Sequence, residues 1–232
     1  MQSLLLFIKA FLSSLLQVGL FALAFLIPSE TWYWFDAIIF LIFYSVMLLT
    51  ACAYLCIFHP ASIEARLMIP YAPNQPVEDK FATAFLVMAF SIGLTFISLD
   101  VFHFQIFLGP SFEVKCLGLV VHTFGFLITI LTLIQNEFAQ PVVNLQKERG
   151  QVLVDSGLYG YIRHPMYFGL IFYLSGMALW LGSTFMATFG TMIVMVAFVP
   201  RILIEEKILR SELDGYENYM KRVQYRIIPR VF

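Results

Sequence analysis

Apolar runs of about 20 residues recur along this chain, at 4–27, 34–58, 81–99 and 115–135, and none contains more than one charged side chain. An α-helix rises 1.5 Å per residue, so each run reaches across a hydrocarbon core about 30 Å thick. A water-soluble fold would need enough polar surface to cover these helices. The chain is instead 60% apolar and 12% charged, where soluble domains average roughly 45–50% and about 25%. It reads as an all-α polytopic integral membrane protein, and disorder or a disulfide scaffold is excluded. Cys52 and Cys56, one helical turn apart, and Cys116 read as packing residues, so neither a disulfide nor a metal site is expected. A net charge of −1 and the lack of a basic, aromatic-interleaved cluster exclude nucleic acid as a partner.

The first run is longer than a secretory h-region and lacks a small-x-small cleavage site, so it reads as a membrane helix. His59-Pro60 stops the second run, Asp100 follows the third, and the fourth ends at Gln135. Two further apolar pieces, 167–180 and 184–200, are joined by Leu181-Gly182-Ser183 only, which makes them an antiparallel hairpin. About six transmembrane helices result, four plus the hairpin. The tail from Arg201 repeats Leu209, Leu213, Tyr216 and Met220 at helical spacing and reads as a cytosolic C-terminal amphipathic helix. With both termini cytoplasmic, 13 of the 14 basic residues fall on that side and only Lys115 opposite, while Glu30, Asp36, Asp100 and Glu113 occupy the opposite loops. An endoplasmic reticulum or a bacterial inner membrane fits equally. Without repeats or linkers the chain is one domain, 1–232, comprising four N-terminal spans (1–135) and a half that carries the polar chemistry (136–232).

Three polar segments gather on one face: 60–80, 136–165 and 201–232. The densest stretch, 154–169, holds a Gly pair, three tyrosines, Arg163-His164 and Pro165. Proline suits a helix's first turn, so His164 is expected at a membrane-helix N-terminus, whose free N–H groups favour an anionic group. Arg163, Tyr161 and Tyr167 could equally anchor that helix at the lipid interface. Arg201 and Glu205 share a helix face, either as an exposed ion pair or as part of a polar pocket against the His164 loop. Glu206 is open between a second acid in the site and a solvated neighbour. His122, inside the fourth span, reads as a histidine bonded to a neighbouring helix.

Asn144, Gln151-Val152-Leu153-Val154, Gly157-Leu158-Tyr159, Arg163-His164-Pro165-Met166-Tyr167, Arg201-x-x-x-Glu205-Glu206 and Tyr216-x-x-Tyr219 follow one another in an order and spacing that resembles the isoprenylcysteine carboxyl methyltransferase family and its prokaryotic relatives. The resemblance covers the last hundred residues or so. It implies S-adenosylmethionine as cofactor, wrapped by Gln151, Val152, Leu153, Val154, Tyr159, His164, Pro165, Met166 and Tyr167, with Asn144 contributing. It implies that Glu205 also holds the cofactor and that Arg201 faces the substrate carboxylate. Gln151 stands where the family often has His, a change that a backbone contact survives. Glu64-Ala65-Arg66 resembles a recurring element of relatives.

Such an assignment suits the chemistry. Methyl transfer from a sulfonium requires alignment and exclusion of water, and a carboxylate acceptor is already ionised and needs no base. The expected enzyme is thus a carboxyl O-methyltransferase acting on a lipophilic, prenylcysteine-like substrate that enters from the bilayer, with the lipid membrane as its setting and no obligate protein partner. An amine or thiol acceptor would require a base, Glu206 or His164; a transporter or scaffold would place charge at the bilayer midplane, where only His122 lies. The topology is open to test: reporter domains fused at residues 1 and 232 will both report the cytoplasm, and placement on opposite sides contradicts an even number of crossings.

Overall fold

The computed structural model describes residues 2–67, 75–142 and 145–232, and each apolar run is a helix there. In chain order the helices are α1 (Gln2–Leu26), α2 (Phe35–Phe58), α3 (Pro60–Arg66), α4 (Val77–Leu99), α5 (Phe112–Gln135), α6 (Pro165–Leu181), α7 (Thr191–Glu212) and α8 (Tyr216–Arg222). Among the described residues there is no strand. Among the described residues, five helical stretches are long and apolar enough to cross a membrane: Ser3–Leu26, Phe35–Phe58, Val77–Phe104, Phe112–Gln135 and Met186–Glu212. α6, with 17 residues, spans only about 25 Å and packs along α5. Leu16, Leu20, Ile39, Ile42, Val120, Leu127, Ile193 and Val196 are exposed on the outer helix faces, the pattern of a surface solvated by lipid tails.

Lipid is as apolar as leucine, so helices in a membrane associate through close packing rather than through removal of apolar surface from water. Glycines supply that packing between α5 and α6. A Cβ on Gly118 would lie 2.8 Å from the Gly176 carbonyl oxygen, one on Gly169 would lie 2.9 Å from that of Gly125, and one on Gly125 would run into the Tyr173 backbone. His122 sits in this seam, fully buried, and its Nδ1 donates to the Tyr173 carbonyl at 2.9 Å. That is the interhelical bond expected for it, and a carbonyl partner fixes the proton on Nδ1.

Polar links hold the end of the bundle away from α3. Lys115 Nζ meets Asp36 Oδ2 at 2.6 Å, and the Trp180 indole donates to the Asp36 carbonyl at 2.8 Å. Asp100 is buried rather than exposed in a loop; it accepts from Ser183 Oγ at 2.6 Å and from the Ile106 N–H at 3.0 Å. Gly182, at φ 99°, makes the turn between α6 and the segment leading into α7.

Two boundaries differ from those expected. The third span continues past Asp100 as a π-helical turn to Phe104. The last span does not stop at Pro200: α7 runs through it to Glu212, so the tail begins as the extension of a membrane helix, and only α8 is separate. Pro200 removes one donor, from the Val196 carbonyl, whereas breaking the helix in an apolar medium would strand several backbone groups at several kcal/mol each.

Gly125→Val will lower the thermal unfolding temperature in detergent, with a cost of about 3 kcal/mol or more from overpacking. Gly19→Ala, where nothing lies within 4 Å, will leave it unchanged or raise it. Equal melting of Gly125→Val and wild type would show that the seam is not closely packed.

Candidate active site

The described residues of 136–164 form no long helix, and side-chain hydrogen bonds shape them instead. Asn136 ends α5 and accepts from the Phe138 N–H at 3.0 Å, while its amide donates to the Tyr159 hydroxyl at 3.0 Å. Gly157, at φ 61°, lies against the Gln135 side chain, whose Oε1 accepts from the Leu158 N–H at 2.9 Å. The left-handed backbone and the tight fit both require glycine there. Gln146 donates to the Phe138 carbonyl at 2.7 Å, and its own N–H reaches Gln151 Oε1 at 2.8 Å. The Gln151 side chain therefore closes a turn. After it, Val152–Val154 form neither helix nor strand, and no other described residue hydrogen-bonds their backbone groups.

The loop is locked to the C-terminal tail. The Arg163 and His164 N–H groups donate to the carbonyls of Tyr225 and Arg226 at 3.0 and 2.8 Å. Beneath them lies Glu206, buried on α7. Its Oε1 accepts from Arg163 Nε at 2.7 Å and lies 3.3 Å from His164 Nε2, and its Oε2 accepts from Arg226 Nε at 2.8 Å. Arg163 also donates to the Val223 and Gln224 carbonyls at 2.7 and 2.8 Å. A buried carboxylate tolerates its desolvation only when its lone pairs are met in this way. Glu206 is thus a structural acid, and the buried Arg163 is a clamp rather than a lipid-interface anchor. Exposed Tyr161 remains suited to the interface.

Glu205, the next residue along, points elsewhere. Successive helix residues are about 100° apart, and its carboxylate, 30% exposed, faces a cleft over the N-terminus of α6. Tyr167 Oη donates to it at 3.4 Å, and His164 Nδ1 lies 3.9 Å away. Gln151, Val152, Leu153, Val154, Tyr159, His164, Pro165, Met166 and Tyr167 line the same cleft. Every one of them was nominated from the sequence. Asn144, nominated too, lies outside the described residues. His164 stands at the N-cap of α6 with Pro165 in the first turn, as expected. Burial pushes the Tyr159 phenol well above its ordinary pKa, so it keeps its proton.

Sequence reasoning missed part of the wall: Asn136, Ile208, Leu209, Leu213, Tyr216 and Tyr219 also line the cleft. Tyr216 and Tyr219 were singled out as part of a pattern and not as lining; Tyr219 Oη donates to the Tyr159 carbonyl at 2.8 Å. Arg201 is not among the lining residues. It is buried, with Nη1 2.8 Å from Asp79 Oδ1 and Nη2 donating to the Pro141 carbonyl at 2.8 Å, and it also donates to the Thr83 hydroxyl. No sequence signal joins Asp79 and Thr83 to Arg201, because α4 and α7 meet only through the fold.

Comparison with known proteins agrees on this half of the chain. Residues 116–211 match the isoprenylcysteine carboxyl methyltransferase family. That segment runs from α5 through the cleft loop and α6 to the end of α7, and includes Glu205 and the Glu206 clamp. The Protein-S-isoprenylcysteine O-methyltransferase of Schizosaccharomyces pombe is 32% identical to the chain over 83 residues, which make up 35% of each protein. The match thus spans about a third of that curated relative's length. The family segment stops before α8, so Tyr216, Tyr219 and Arg226, which complete the wall and the clamp, lie beyond it.

Arg163→Ala will leave Glu206 half-paired, at a cost of about 3 kcal/mol or more, and will release the tail. Trypsin will then cut after Arg226 about tenfold faster than in wild type, as expected of a locally unfolded segment. Unchanged cleavage contradicts the clamp.

Proposed function

We propose that the protein is a membrane-embedded, S-adenosylmethionine-dependent methyltransferase that acts on the carboxylate of a lipophilic, prenylcysteine-like acceptor. The observation that carries this reading is the convergence of the 151–154 strip, Tyr159, the His164–Tyr167 turn and Glu205 on one cleft, inside the segment that matches a carboxyl methyltransferase family. Bound S-adenosylmethionine would supply an electrophilic methyl group on a sulfonium.

The residues suit such a molecule. Glu205 is the one acid among the described cleft residues, a counter-charge for an ammonium group. The backbone of Val152–Val154, which no other described residue hydrogen-bonds, offers donors and acceptors to a base edge, and Val152, Leu153, Leu209 and Leu213 offer apolar walls to its faces. The free N–H groups at the start of α6 suit a carboxylate. Tyr167 donates to Glu205 and gives it a direction, so this chain's contribution is alignment. We assign Arg201 a positioning role beside Tyr167 and Glu205: it ties α4, α7 and the loop after α5 into one frame, and its charge lies next to the cleft.

The amine or thiol alternative requires a general base; Glu206 has its oxygens occupied by two guanidinium groups, and His164 has one ring nitrogen against that carboxylate. A carboxylate acceptor needs no base, which favours the first reading.

Titration calorimetry in detergent will show S-adenosylmethionine binding to wild type. Glu205→Gln, which loses a charge-assisted hydrogen bond of about 1.5–3 kcal/mol, will weaken it about tenfold or more, and His164→Ala will weaken it as well. Unchanged affinity in both variants contradicts the site.

A further inference from the structure

A second cavity, of about 280 Å³, lies inside the helix bundle. Ala10, Leu48, Leu55, Phe90, Leu133 and Leu170 form its apolar wall. Three of the polar side chains around it bond within the protein. Ser14 donates to the Ala10 carbonyl, Thr129 to the Gly125 carbonyl, and Gln17 to the Tyr44 hydroxyl, at 2.9, 3.0 and 2.7 Å. One charged residue lines it among those described: Arg66, at the end of α3.

Arg66 differs from the other arginines near the site. Arg163 and Arg226 share Glu206, and Arg201 pairs with Asp79. Arg66 is partly buried and has no carboxylate partner among the described residues; its one hydrogen bond runs from Nη1 to the Met166 sulfur at 3.5 Å, a weak acceptor. Burial, above all, presses its pKa below the ordinary guanidinium value, and neighbouring Arg201 acts in the same direction. A guanidinium nevertheless keeps its proton in a protein, so this is a cation held in a poor environment. Met166 and Tyr167, which neighbour it, belong to the wall of the cofactor cleft. Arg66 therefore stands between an apolar chamber and the cleft. α3 is fixed there: Ser62 Oγ donates to the Leu133 carbonyl at 2.8 Å, and Arg149 donates to the Ala61 carbonyl at 3.2 Å.

We propose that the intramembrane cavity holds the apolar tail of the acceptor and that Arg66 binds its carboxylate, presenting it to the cleft across Met166. This rests on the carboxyl methyltransferase reading and names the residue that selects the acceptor. A guanidinium fork matches two carboxylate oxygens, and a carboxylate supplies the partner that Arg66 lacks among the described residues. The tail, anchored in the chamber, sets how far the head group extends.

The test measures binding of an N-acetyl-S-prenylcysteine and of its neutral carboxamide to wild type, Arg66→Met and Arg66→Lys, with S-adenosylmethionine affinity measured on each. Wild type will bind the acid about tenfold or more tighter than the amide, the effect of one charge-assisted pair. Arg66→Met will lose that preference while S-adenosylmethionine affinity stays within about threefold, and Arg66→Lys will retain part of it because the charge remains without the fork. Equal binding of acid and amide by wild type overturns the proposal and needs no variant. A prenyl monophosphate that outcompetes the acid reassigns the site to phosphate and overturns it too. An acid preference that persists in Arg66→Met moves the carboxylate to another residue and leaves the methyltransferase reading standing. Wild type that binds no S-adenosylmethionine ends that reading itself.

Discussion

The Glu206 carboxylate, on α7, joins the segment that opens α6 to the C-terminal tail. Arg163 reaches it from the loop before α6, Arg226 from the tail, and His164 from the cap of α6. Each of these groups carries a desolvation cost that its partners offset. With the cluster intact, the α6 cap, the base of α7 and the tail share one geometry, and the residues beside them have fixed directions. Glu205, one position away, then faces the cleft, and Tyr216 and Tyr219 close it from α8.

Close packing of α5 on α6 is the second support. The short α6 could not position His164 by spanning the bilayer alone, and the glycine seam sets its height against α5. Both the seam and the Glu206 cluster therefore act on one point, the N-terminus of α6. The proposed methyl transfer depends on such rigidity, because alignment of donor and acceptor is what the protein would contribute.

Much of this was legible in the residues. Run lengths located the spans, a three-residue connection made the hairpin, and His164-Pro165 placed a helix cap. The cleft strip was legible because its residues recur together in one known family. Other features required the fold. Glu205 and Glu206 are adjacent and chemically identical, and only the direction each takes from α7 makes one a cleft acid and the other a clamp. The resemblance implies that Arg201 faces a substrate carboxylate; its ion pair with Asp79, brought by α4, is visible only in the fold. Pro200 carried a stop signal that an apolar medium overrides, since a broken helix there costs more than one missing hydrogen bond.

Hydrogen exchange of the protein in lipid nanodiscs, with and without saturating S-adenosylmethionine, tests most directly whether these segments form one cofactor site. Binding is predicted to slow exchange at 151–167 and at 208–219 together, and to leave the 100–111 connection at the other end of the bundle unchanged. Slowing confined to one of the two segments, or centred at that other end, would contradict the account.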